Sequence, residues 1–160
     1  MRSHMNKPVL ALFGAATALF LTSCGPTPQL KVKEAVLTLS PVDSNPSSYH
    51  FNVYGGPTDV YLLRVSSPSA IRTEMHDVGV DPKTGAVTMK PMNRVLIPSG
   101  EKIEFKKGGK HVMMWGVNLI PRRLGEIETE FLFSNNERIL VKARVQEMDG
   151  TDPDEKKALN

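Results

Sequence analysis

From residue 31 onward the chain is interrupted at short intervals by clusters of turn-forming residues. This punctuation constrains its fold more than any other feature. The clusters are Asp43-Ser44-Asn45-Pro46, Gly55-Gly56-Pro57, Asp81-Pro82-Lys83-Thr84-Gly85, Pro98-Ser99-Gly100, Gly108-Gly109 and Ser134-Asn135-Asn136. Between them lie short segments of alternating or β-branched character: 31–40, 49–54, 60–66, 70–76, 86–90, 94–97, 102–106, 111–116, 126–133 and 139–145. Such segments are too short for helices and carry no useful helical period, so they predict strands. Strands at this spacing predict an all-β sandwich or barrel. No internal repeat is present. Glu126, Glu128 and Glu130 alternate with Ile127, Thr129 and Phe131, which predicts one solvated and one buried strand face rather than a pair of catalytic carboxylates.

The chain before this body reads as an address. Residues 8–23 are almost entirely apolar or small, Arg2 and Lys7 precede them, and no acidic residue occurs before Glu34. A positive start, a short apolar run and small residues at its end describe a secretory signal. The run is too short for a confident membrane span. Met5-Asn6-Lys7 is itself a plausible start, which would place the residues before it outside the natural chain. Leu21-Thr22-Ser23-Cys24 resembles a bacterial lipobox, in which the cysteine thiol takes a diacylglycerol and the leader is removed before it. Two or three acyl chains anchor a soluble domain stably, where one would not. By resemblance to Gram-negative lipoprotein sorting, Gly25 after the cysteine favours the outer membrane. The expected organisation is a leader over 1–23, a lipidated Cys24 with a tether over 24–30, one domain over 31–148 and a polar tail over 149–160.

Composition narrows the function. The 160 residues hold one cysteine, which leaves no disulfide framework, iron–sulfur cluster or cysteine zinc site. The formal charge is +3, and most of that belongs to the leader: from Cys24 on, 18 Lys+Arg face 17 Asp+Glu. A near-neutral body argues against nucleic acid as a partner. Lys106, Lys107 and Lys110 around Gly108-Gly109 form a basic loop, read as a solvated turn, with docking of an acidic partner as the alternative. No Gly-x-Ser-x-Gly elbow or His-Glu-x-x-His is present, so no enzyme is expected.

Methionine and histidine are concentrated. Of the six methionines after Cys24, five (Met75, Met89, Met92, Met113 and Met114) fall between residues 75 and 114, with His76 and His111. His50 is read as a partly buried strand histidine. In His111-Val112-Met113 the imidazole and thioether are two apart, so on a strand they share a face. His76 is expected to end its strand, and a hairpin can return Met89 towards it. Imidazole with thioether favours copper, and Cu(I) above all, because soft ligands select it. A thioether also avoids the disulfide chemistry that affects thiols outside the cytoplasm.

These residues resemble the signature of the PCuAC family of periplasmic copper chaperones, H(M)-x10-M-x21-H-x-M. Met89, His111 and Met113 match its second half in full. Ser66-Ser67-Pro68, Met89-Lys90-Pro91, Ile97-Pro98-Ser99-Gly100 and Gly108-Gly109-Lys110-His111 also resemble the family, over roughly residues 31–146. One departure stands: 12 residues, not 10, separate His76 from Met89, and the extra two are expected in the Asp81–Gly85 turn. The resemblance implies a cupredoxin-like β-sandwich and one Cu(I) held by His76, Met89, His111 and Met113. Met75, which the family tolerates as a first ligand, and Met92, Met114 and Trp115 are accessory candidates. It further implies delivery of copper by ligand exchange for cytochrome c oxidase assembly, to an oxidase subunit or a Sco-type protein. The alternatives are a copper-scavenging lipoprotein with no oxidase recipient and a structural β-sandwich lipoprotein without metal. A blue-copper carrier would need a cysteine ligand inside the domain, and Cys24 lies outside it.

Overall fold

In the computed structural model the described residues are 27–148. The leader, the Cys24 lipidation site and the tail over 149–160 lie outside the described residues. Ten strands and one short helix follow in order: β1 (Lys31–Leu39), β2 (Ser47–Tyr54), β3 (Val60–Ser66), β4 (Arg72–Val80), β5 (Val87–Met92), β6 (Val95–Ile97), β7 (Lys102–Phe105), β8 (His111–Trp115), α1 (Leu119–Leu124), β9 (Glu126–Phe133) and β10 (Arg138–Glu147).

All ten expected segments are strands, and the alternation in each sets which side is buried. In β2 every second residue, from Ser47 to Val53, is buried. In β9 Ile127, Thr129, Phe131 and Phe133 point inward, while Glu126 and Glu128 are exposed. The strands pair in the order β5-β4-β8-β2-β1-β10-β9-β3-β6, with β7 also on β2. Only β1 and β10 run parallel. The sheet folds back on itself, and Thr73 on β4 donates a hydrogen bond to the Val65 carbonyl on β3. The result is a β-sandwich with its core between the folded halves.

Aromatic rings dominate that core. Phe51 stacks on Phe105 with centroids 4.3 Å apart and meets Phe131 edge-on at 4.8 Å. The buried Tyr49 hydroxyl lies 2.8 Å from Thr129 Oγ1, which in turn donates to the Val141 carbonyl at 3.2 Å. Thr129 therefore accepts from Tyr49, and burial raises the Tyr49 pKa well above its ordinary value.

Two local features differ from the sequence expectation. First, β4 does not end at His76 but runs to Val80, because Gly79 and Val80 pair with Thr88 and Val87. The turn beyond is closed by Asp81, whose Oδ1 accepts from the backbone of Lys83 and Thr84 at 2.7 and 3.0 Å. Second, α1 follows β8. Asn118 caps it by accepting from Ile120 N at 3.0 Å, and Gly125, at φ 72°, donates to the Pro121 carbonyl. Six residues hold less than two helical turns, too few to show a period.

Substituting Tyr49→Phe should cost about 1 kcal/mol, one net hydrogen bond. Phe131→Ala should cost about 3–5 kcal/mol through the cavity it leaves. Urea denaturation of the two variants beside the parent measures both; equal losses would contradict this account of the core.

Candidate metal centre

The pairing of β4 with β8 assembles the site. His76 stands opposite His111, Glu74 opposite Met113 and Arg72 opposite Trp115. Directly opposed residues share a face. Between them, Met75 opposes Val112 and Thr73 opposes Met114 on the other face. Met75, Val112 and Met114 belong to the buried core. The imidazoles, Met113 and Trp115 thus lie on the outward side of this part of the sheet.

Across the hairpin, β5 presents Pro91 opposite His76 and Met89 opposite Val78. Met89 is therefore on the outward face, diagonal to His76, where a long side chain can still reach it. It is 58% exposed and sits on the terminal strand of the sheet. An even number of extra residues between His76 and Met89 preserves the facing of β5. Met92 opposes Met75 and packs against the core. Of the accessory candidates, then, only Trp115 joins the outward face. Met75, Met92 and Met114 are turned to the core, because each is one residue out of phase with a site-facing neighbour.

The two imidazole centroids are 6.0 Å apart. With metal–nitrogen bonds of about 2 Å, one ion between two imidazoles separates their centroids by roughly 5–6 Å. His111 is 8% exposed, and its Nδ1 donates to the Gly109 carbonyl at 2.8 Å. Nε2 is left with its lone pair. His76 places Nε2 3.2 Å from Glu74 Oε2. Its Nδ1 is buried and has no hydrogen-bond partner among the described residues. A buried polar atom without a partner is costly, so a ligand at Nδ1 would relieve the site. The Arg72 guanidinium lies 4.0 Å from the Trp115 ring centroid and its Nε 3.6 Å from Glu74 Oε1. Among the described residues no three His, Cys, Asp or Glu side chains form a metal-holding group. The further donors on this face are the Met113 and Met89 thioethers, a set that fits a soft ion.

Two neighbours were not among the expected site residues. Glu74 could have been found from Glu74-Met75-His76, which puts a carboxylate and an imidazole two apart on one strand face. His50 is half-buried as expected, but its position follows from the β2–β8 register. Tyr49 opposes Val112 and Ser48 opposes Met113, so β2 brings His50 alongside His111. Burial first, then electrostatic interaction with His111 and Lys107, lowers its pKa. In the basic loop Lys106 pairs with Glu104 at 2.6 Å and Lys110 with Asp77 at 3.2 Å.

The comparisons with known proteins agree with this architecture. The copper-bound PCuAC domain from PmoF2 superposes with a TM-score of 0.59 at 14% identity, covering 76% of this chain and 95% of that one. The apo PCuAC domain from PmoF1 gives 0.56 at 19%, over 76% and 96%. Apo-DR1885 from Deinococcus radiodurans gives 0.55 at 14%, over 93% and 100%. The fold is thus the cupredoxin-like β-sandwich of PCuAC domains. The family model for LpqE-like lipoproteins matches residues 30–145. The chain belongs to the LpqE-like family. No curated protein matches it. Among the described residues no helix is long and apolar enough to cross a membrane.

The surroundings of His50 favour its neutral form. Its stabilising contribution is complete above about pH 6.5, the ordinary histidine value, and is lost as pH falls from there through its lowered folded midpoint. In an NMR titration His50 should show a midpoint below 6.5, and Lys107→Ala should move it upward. A midpoint at or above 6.5 would refute this electrostatic environment.

Proposed function

We propose that the chain is an envelope-anchored Cu(I) carrier that binds one ion through His76, His111, Met113 and Met89 and passes it on by ligand exchange. The observation that carries this reading is the outward pairing of His76 with His111, flanked by two thioethers. Imidazoles supply firm anchoring bonds, and neutral sulfur suits monovalent copper. The donors differ in access, and the difference suits a carrier. His111 is nearly buried, whereas Met89 is exposed on the last strand of the sheet. An incoming ligand would displace Met89 first and the buried imidazole last. No step requires a reaction on a substrate, so the role is transport rather than catalysis.

In this reading Cys24 carries the lipid and holds the domain on the periplasmic side of the bacterial envelope, in the outer membrane if sorting follows Gly25. The proposed recipient is a copper-accepting protein of cytochrome c oxidase assembly, an oxidase subunit or a Sco-type protein. The similarity of fold to a copper-bound domain supports the metal.

A Cu(I) competition titration of the chain from residue 25 onward tests the reading. One equivalent should bind, and His111→Ala/Met113→Ala should weaken it by more than about 100-fold, two first ligands being lost. Met89→Ala should weaken it less. Failure of the folded parent to compete for Cu(I) would leave a structural lipoprotein; a second equivalent of equal affinity would refute the single site.

A further inference from the structure

The two imidazoles of the site are held by opposite ring atoms. His111 donates from Nδ1 to the Gly109 carbonyl, which leaves Nε2 as its lone-pair nitrogen. His76 meets a carboxylate oxygen of Glu74 at Nε2, and its Nδ1 is the buried atom without a partner. The carboxylate is an acceptor only. Nε2 of His76 must therefore carry the proton. The other neutral tautomer would set a lone pair against the carboxylate and bury an N–H with no acceptor.

We propose that Glu74 is the positioning residue of the site: it fixes the His76 tautomer so that His76 binds the ion through Nδ1, while His111 binds through Nε2. This rests on the copper-site reading above. Glu74 is suited to the role by its place on β4. It is two residues before His76 and so on the same face, and it stands directly opposite Met113. Its other oxygen, Oε1, faces Arg72 Nε at 3.6 Å, and the Arg72 guanidinium in turn rests on Trp115. Arg72 and Trp115 thereby orient the carboxylate. A carboxylate on the far nitrogen of a ligating histidine fixes the ring and raises its basicity. Because Nδ1 is next to Cγ, this mode would hold an ion closer to the β4 backbone than binding through Nε2 would.

The test is a two-bond 1H–15N correlation of the imidazoles in the 15N-labelled protein, recorded before and after one equivalent of Cu(I). Without copper, His76 should appear as the Nε2–H tautomer and His111 as the Nδ1–H tautomer. Copper should then shift Nδ1 of His76 and Nε2 of His111. Glu74→Ala should mix the His76 tautomers and weaken Cu(I) binding by roughly 10- to 100-fold. Glu74→Gln, whose amide oxygen can still accept from Nε2–H, should keep the tautomer and lose less. A purely structural Glu74 would leave the tautomer unchanged in both variants, and that outcome overturns the proposal. A copper-induced shift at Nε2 of His76 overturns it as well, while leaving the carrier reading intact. Copper that shifts neither ring overturns both.

Discussion

The candidate centre depends on the antiparallel register of β4 and β8. One residue of slip on either strand would carry His76 or His111 from the outward face to the core, because side chains alternate with a period of two. What holds the register is on the opposite side of the same strands. Met75, Val112 and Met114 are buried there, and exposing them would cost their transfer free energy, about 1.5–3 kcal/mol for each fully buried side chain. The hydrophobic core therefore positions the polar site without contacting it. The β5 hairpin extends the arrangement, since Met92 packs against the core from the same pairing that places Met89 outside.

The methionines divide accordingly. Adjacent Met113 and Met114 have opposite surroundings because one residue reverses the side of a strand. Met114 is fully buried, a flexible side chain filling the core. Met113 stands beside His111 on the outer face. Met75 and His76 divide in the same way. A residue type that is rich in this window thus has two kinds of surroundings, assigned by parity alone.

Electrostatic preparation of the face comes from short, local contacts. A backbone carbonyl at Gly109 and a carboxylate at Glu74 each take one imidazole N–H, and Trp115 carries the guanidinium that lies beside Glu74. His50, on the far side of His111, is kept towards its neutral form by burial and by nearby positive charge. In the basic loop Lys110 pairs with Asp77, Lys106 shares Glu104 with Lys102, and Lys107 is the lysine that bears on His50.

Much of this was legible in the residues themselves. Alternation and turn clusters determine ten strands, because a period of two and a break at Gly, Pro, Asn or Asp are local properties of the chain. His111-Val112-Met113 determines that imidazole and thioether share a face, whatever the rest of the fold. Local pattern does not say how far a strand runs once a partner is available, so the extension of β4 to Val80 needed β5. Nor does it say which strand lies beside which. That His76 faces His111 and that His50 stands next to the site are facts of pairing between distant segments. The tertiary structure alone decided them, because strand registry is set by the fit of two buried faces and not by the residues of either strand alone.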